Sequence, residues 1–357
     1  MNAEVKKLLR GKKACEPESY LWLKKNVKGS NQIGEGEYGK VYRGCVDDKC
    51  EKYIVYKEII MPKLSESNNN VPLARFKNLL NINPKMEFMI AKKLEGFGVP
   101  KMYLYKSCDG RDILYSEYID GKDMVMWMQS SPTLTAIKSV MAQIIYNLYR
   151  IQQKYPGFRH HDLHMRNILV RPVPEKDIQI KLKSGSYKIS NGGVEAVMID
   201  FGFSVFPRMR NPLVNENTYK NLGITRKSNK HYDLHFFLSS LHNLVAVTNT
   251  RAGLATKIFI ENLLAANLLV AQSSLVKNWR LRNKADIPTF ETILMKPFFT
   301  GKKIQVAIPS TPKRVPVVIA PPRYTSPVNK KEAIARAVAV LKANNKKKKR
   351  PLPRPRK

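Results

Sequence analysis

Acidic residues are scarce in this chain: 28 Asp and Glu face 63 Lys and Arg, for a formal charge of +35. Solubility needs far less, so contact with a polyanion, nucleic acid or an acidic membrane surface, is expected. Cysteines are also few. The four, Cys15, Cys45, Cys50 and Cys108, have no histidines near them at metal-ligand spacing, which argues against a metal-binding cysteine cluster and predicts a reduced intracellular protein. No stretch approaches the ~18 apolar residues of a membrane span, and the basic start MNAEVKKLLRGKKA lacks an apolar run suited to a signal peptide. Neither secretion nor membrane insertion is expected. Internal repeats are absent as well.

What is present is enough apolar sequence, 43% of 357 residues, to bury a substantial core, either as one large two-lobed unit or as two ordinary domains. Residues 1–28 are basic, with a short helix expected over 20–25. From residue 31 to 57 the pattern reads as antiparallel strands, QIGEGEYGKVYRG and YIVYKEI, parted by the polar turn Asp47-Asp48-Lys49. After a polar loop at 65–70, apolar positions 86, 89, 90 and 94 predict one amphipathic helix ending at Gly96. Two more strands, KMYLYKS and DILYSEYI, lead into a helix whose apolar stripe runs Leu134, Ile137, Val140, Met141, Ile144, Ile145 and Leu148. Residues 231–276 read as helical again, and KPFFTG closes the folded part near 300. Beyond Gly301, nine of the 22 prolines accompany 17 Lys or Arg and the single acid Glu332, a local charge of +16. Such a tail cannot bury enough apolar area to offset its ordering entropy and is expected to be disordered, apart from a short helix over 330–343.

Three separated motifs carry the chemistry. Gly34-Glu35-Gly36-Glu37-Tyr38-Gly39 lies between two strands rather than opening into a helix, unlike a dinucleotide-binding turn. Glycines there let backbone N–H groups approach phosphates, with Tyr38 at the tip folding over them. Lys57 ends an apolar strand, where a buried ammonium needs an anion, and Glu87 on the following helix is the candidate; two ordinary surface charges are the competing account. The decisive segment is His160-His161-Asp162-Leu163-His164-Met165-Arg166-Asn167, followed by an apolar strand and then Val197-Met198-Ile199-Asp200-Phe201-Gly202. Two acids and an amide are the base and hard oxygen ligands that magnesium-dependent phosphoryl transfer requires.

In this order the motifs resemble the eukaryotic-type protein kinase superfamily over residues 31–301. The resemblance implies an α+β, two-lobed protein-kinase-like fold. A small antiparallel β-sheet N-lobe with one helix would span 29–119, and a larger, mainly helical C-lobe 120–300, between the extension 1–28 and the tail 301–357. It implies an ATP- and Mg2+-dependent serine/threonine protein kinase, with Mn2+ as a substitute metal. Asp162 would be the catalytic base, Lys57 and Glu87 the phosphate-orienting pair, and Asn167 and Asp200 the metal ligands. The glycine-rich loop would cover the phosphates; Ile33, Val41, Val55 and Leu169 would sandwich adenine, and backbone groups of Glu117 and Ile119 would hydrogen-bond it. Asp233 would anchor the catalytic loop from below, and 279–299 would form closing helices.

Departures from the pattern carry their own expectations. His161 replaces the arginine that usually receives an activation-loop phosphate, which suggests activity independent of that phosphate. No Ala-Pro-Glu follows Asp200; Glu216, meeting Arg280 or Arg282, is a substitute. His164 stands where a lysine is usual, as in small-molecule kinases of the aminoglycoside phosphotransferase type. A small-molecule phosphotransferase therefore remains an alternative, alongside a noncatalytic scaffold tethered to nucleic acid. Val55 narrows the adenine pocket, while Ser116 at the gatekeeper place opens space behind it. The long stretch between 170 and 197 suggests an extended hairpin. Together with the basic tail, it resembles kinases encoded by large DNA viruses, and implies the host cytoplasm or nucleus, or packaging in a virion. The tail is expected to hold nucleic acid without sequence readout, its KKKKR run also suiting nuclear import, and Thr311 and Ser326 precede prolines as phosphorylation candidates. A protein is the expected substrate; the sequence does not fix an oligomeric state.

Overall fold

The structure is a computed structural model that describes residues 5, 7, 9, 14–17, 32–36, 39–47, 49–60, 82–215, 223–224, 228–248 and 250–301. The expected helices over 20–25 and 330–343, the tip residues Glu37 and Tyr38, Glu216 and the basic tail lie outside them. The chain divides into two units, Met1–Gln305 and Val306–Lys357.

The first unit is mixed α/β, with a sheet-rich start followed by several helices and short strands. Strands β1 (Gln32–Gly36), β2 (Gly39–Cys45), β3 (Tyr53–Ile60), β4 (Met102–Cys108) and β5 (Arg111–Glu117) form one antiparallel sheet in the order β1-β2-β3-β5-β4. Strand periodicity sorts β3 cleanly between two faces. Ile54 and Tyr56 join Ile113 and Tyr115 on one face, while Ile59 joins Leu114 and Met102 in the main core on the other. The first face is covered by Val5, Leu9 and Ala14 of the N-terminal segment, and the Tyr115 hydroxyl donates to the Ala14 carbonyl at 2.8 Å. Helix α1 (Pro84–Lys93) packs on the second face through Met86, Ile90 and Ala91. Asn83 caps it by accepting from the Met86 N–H, and proline at the first turn loses no hydrogen bond there.

The expectation of reduced thiols is overturned. Cys15 is bonded to Cys108 and Cys45 to Cys50, with Cα separations of 5.7 and 4.9 Å. The first pair is 93 residues apart in sequence, and only the docking of the N-terminal segment on the sheet brings it together. The second closes the β2–β3 turn, where the Asp47 carboxylate also accepts from the Glu51 and Lys52 N–H groups.

After β5 the chain runs through β6 (Lys122–Asp123) into α2 (Met124–Gln129), capped by Asp123, and then α3 (Leu134–Lys154), whose apolar stripe is the axis of the main core. Strand β7 (Ile168–Pro172) pairs with β6 and with β10 (Val194–Met198). Gly121 is required at this crossing, because a Cβ there would lie 2.6 Å from the Val170 carbonyl oxygen. Between β7 and β10, β8 (Asp177–Leu182) and β9 (Gly185–Ser190) form the hairpin that the long intervening sequence suggested. Ile180 enters the core, and the Tyr187 hydroxyl donates to the Leu294 carbonyl at 2.6 Å, so the hairpin is integrated into the fold.

Helices α4 (Tyr232–Val247) and α5 (Arg251–Glu261) follow. Helicity was expected to run to residue 276, but it gives way after Glu261 to a short 3-10 turn and a hairpin of β11 (Val276–Lys277) and β12 (Arg280–Leu281). Leu264, Leu268 and Val276 are buried outside any α-helix, and apolar periodicity over such short runs does not distinguish this burial from helix. In the 279–299 segment, only α6 (Phe290–Leu294) and then α7 (Pro297–Thr300) are helical. Among the described residues no helix is long and apolar enough to cross a membrane.

Candidate active site

Lys57 sits on the same face of β3 as Val55 and Ile59, with Val41 on one neighbouring strand and Leu114 on the other as its cross-strand partners. Its ammonium reaches Glu87 Oε1 of α1 at 2.8 Å and Asp200 Oδ1 at 3.4 Å. A strand lysine, a helix carboxylate and an aspartate 143 residues away in sequence from Lys57 therefore meet at one point. Burial alone would push the Lys57 ammonium down, but Asp200 and Glu87 outweigh it and hold its pKa above the ordinary lysine value. For Asp200 burial pushes upward, and Lys57 and the His160 ring reverse this, leaving the carboxyl below its usual range. Burial raises Glu87 against the pull of Lys57, with Asp200 adding to the rise.

Asp200 is placed by its neighbours. Phe201 is buried with its ring centroid 4.9 Å from that of His160, which turns Asp200 outward, and the Ile199 N–H donates to the Asn167 carbonyl at 2.9 Å. This last bond brings the two candidate metal ligands onto adjoining strands of chain. Asn167 closes a single 3-10 turn (Met165–Asn167); its Nδ2 donates to the Asp162 carbonyl at 2.8 Å and lies 3.4 Å from Asp162 Oδ2, which leaves Oδ1 to offer a cation. Asp162 Oδ2 is also 3.6 Å from His164 Nε2, and Asp162 Oδ1 is 3.3 Å from Arg280 Nη2.

Asp233, in the first turn of α4, fixes the loop from the other side: its two carboxylate oxygens accept from the His160 and His161 N–H groups at 2.8 and 2.9 Å. Both His161 (φ 67°) and Asp200 (φ 64°) occupy the left-handed region, which costs an L-residue roughly 1–2 kcal/mol and so needs such anchoring. The His161 ring is fully buried and engaged at both nitrogens. Because the Phe203 carbonyl can only accept, Nδ1 donates to it (3.1 Å), and Nε2 accepts from the Ser228 hydroxyl (2.9 Å). Burial lowers the His161 pKa to about 4 against the pull of Asp233, so the ring is neutral. Burial likewise lowers the His164 pKa, more than Asp162 raises it.

Of the residues predicted to surround adenine, Val41, Val55 and Leu169 are half-buried and Ile33 is exposed. Ser116 faces Val55 across the β3–β5 pair. Glu117 uses its N–H on the Lys101 carbonyl, and its side chain meets Arg171. The Ile119 carbonyl accepts from the Gly121 N–H at 2.9 Å. Gly34 and Glu35 lie on β1, and β1 and β2 meet at Gly36 and Gly39. A Cβ on Gly39 would run into the Glu58 carbonyl oxygen, so this glycine has a packing reason independent of any ligand. The sequence points Arg280 toward Glu216, and no local pattern marks it as a neighbour of Asp162, 118 residues away.

Among the described residues no cluster of three or more His, Cys, Asp or Glu could hold a metal unaided. Magnesium is commonly held by one or two protein oxygens, with waters and substrate phosphates supplying the rest. Asp200 and Asn167 provide such a donor pair.

No protein-family model matches the chain. It is 30% identical over 170 residues, 43% of its length, to "Putative serine/threonine-protein kinase R400" of Acanthamoeba polyphaga mimivirus. A second similarity, 28% over 137 residues and 38% of the chain, is to "Probable kinase 098L" of Invertebrate iridescent virus 3. A third, 34% over 87 residues and 22% of the chain, is to "Putative serine/threonine-protein kinase R301" of the same mimivirus. The matches span 36%, 26% and 20% of these relatives' own lengths. By sequence the chain is thus related to kinase-named viral proteins.

Proposed function

We propose that this chain is an ATP- and Mg2+-dependent protein kinase that transfers the γ-phosphoryl group to serine or threonine hydroxyls. The two-lobed architecture, with nucleotide between the five-stranded sheet and the helical part, belongs to the same proposal. The observation that carries it is the convergence of Lys57, Glu87 and Asp200, with Asp162 and Asn167 on the neighbouring loop. The kinase names of the viral relatives point the same way.

Phosphoryl transfer asks mainly for alignment and charge stabilisation. Lys57, held by Glu87, presents its ammonium to the nucleotide phosphates. Asp200 and Asn167 would hold magnesium, which when bound neutralises charge on the phosphate oxygens. Asp162 takes the proton of the attacking hydroxyl through a carboxylate oxygen. His161, neutral and tied to Phe203 and Ser228, offers no cation to an activation-loop phosphate; it joins the two stretches by neutral hydrogen bonds instead. Activity is therefore independent of such phosphorylation. The tail beyond Gly301, with its +16 charge, is the element we assign to nonspecific nucleic-acid binding.

Purified protein incubated with radiolabelled ATP, basic and acidic proteins, and an aminosugar tests the proposal. Label on protein serine or threonine is expected. Label on the aminosugar alone would favour the small-molecule phosphotransferase, and label on neither would leave the scaffold reading.

A further inference from the structure

Arg280 lies far from the catalytic segment in sequence yet touches the centre of it. The β11–β12 hairpin turns through Asn278 (φ 50°) and Trp279 (φ 63°), and this turn delivers Arg280 toward α4. Its guanidinium carbon stands 4.7 Å over the Phe236 ring, Nη1 donates to the Asn278 carbonyl at 3.1 Å, and Nη2 points at Asp162 Oδ1 at 3.3 Å. The side chain is 12% exposed, and its Nε is buried with no hydrogen-bond partner among the described residues. Arg282, two residues on, is exposed. A hairpin that needed only packing at this place would be served by an apolar side chain; burying a guanidinium with one N–H unmet is costly unless its charge is used.

Among the described residues the charge has one carboxylate within reach. Asp162 Oδ2 is flanked by Asn167 Nδ2 and His164 Nε2, while Oδ1 has Arg280 alone among the described residues. The plane of the carboxylate is thereby fixed from two sides by groups from different parts of the chain. The Phe236 ring keeps the guanidinium oriented, as stacking favours.

We propose that Arg280 is the positioning residue of Asp162, holding the base carboxylate in line through Oδ1 from outside the catalytic segment. The proposal rests on the kinase reading, in which Asp162 is the base. An arginine acting through Asp162 changes the rate of transfer and not the binding of nucleotide. Its effect vanishes when the carboxylate is absent.

The test is a double-mutant cycle of Arg280→Met, which keeps length and packing on Phe236 without charge, and Asp162→Asn, read by steady-state kinetics and by thermal unfolding. Arg280→Met is expected to lower kcat by about a hundredfold with KM for ATP within about threefold of wild type. Arg280→Lys, which restores the cation, should recover at least about tenfold of that loss. In the Asp162→Asn background, Arg280→Met should change the residual rate by less than about threefold. Wild-type kcat in Arg280→Met, or an equal loss of rate with and without the Asp162 carboxylate, overturns the proposal. Thermal unfolding separates this from failure of the kinase reading. If the wild type transfers no phosphate but the two substitutions are non-additive in Tm, the pair stands and the kinase reading falls. Additive Tm shifts overturn the pairing itself.

Discussion

Lowering the pH from 7.5 to 5 should destabilise this protein sharply through three buried histidines. His161 and His235 are fully buried and His231 nearly so, and burial lowers the pKa of each to about 4. The unfolded chain carries them near 6.5. Because the folded values are the depressed ones, the unfolded state binds protons first as pH falls. The stability they contribute is complete above about pH 6.5 and is lost on the way down to about 4. At pH 5 linkage gives a loss of about 2 kcal/mol per histidine, roughly 6 kcal/mol for all three. That is comparable with the whole stability of many domains. Urea unfolding of the full chain at pH 7.5, 6.5, 5.5 and 5 measures it. Replacing His235→Gln, whose amide can still donate to the Leu268 carbonyl that now accepts from Nε2 at 2.8 Å, should flatten the slope by about a third. An unfolding midpoint constant between pH 7.5 and 5 would refute the neutral buried histidines and, with them, the neutral His161 clamp.

Asp233→Asn leaves one of two buried N–H groups, at His160 or His161, without its acceptor, and should cost about 1–3 kcal/mol in chemical unfolding. The same variant should lose catalytic turnover, because Asp162 follows directly on that backbone. Cys15→Ser with Cys108→Ser opens a cross-link of 93-residue separation, so Tm should fall by the equivalent of about 2–4 kcal/mol; an unchanged Tm would show that the N-terminal cover of the sheet does not depend on it. Truncation after Gly301 should weaken binding to duplex DNA and flatten its salt dependence, and equal slopes for both forms would remove nucleic-acid binding from the tail.

The residues brought together around Lys57 were visible in the sequence because each belongs to a short, regular segment. Strand alternation puts Lys57 on the face of Val55, helix spacing puts Glu87 on α1, and Asp162 and Asn167 are joined by a single turn. Long-range partners were hidden for the complementary reason. Nothing near Arg280 announces Asp162, and nothing near Cys15 announces Cys108; both pairs exist only once a hairpin or a terminal segment has docked. The same holds for the N-terminal cover, where Val5, Leu9 and Ala14 gave no chemical signal and yet close one face of the sheet. Apolar sequence also misled where burial occurs outside an α-helix, as between Glu261 and Val276.

Asp162 carries the proposed chemistry most directly. Full-length protein and its Asp162→Asn variant, compared for ATP affinity and for transfer of label from ATP to protein serine or threonine, give the decisive measurement. The predicted result is nucleotide affinity within about threefold of wild type and a loss of turnover of at least about a hundredfold. Undiminished transfer by the variant would contradict the assignment of Asp162 as the base.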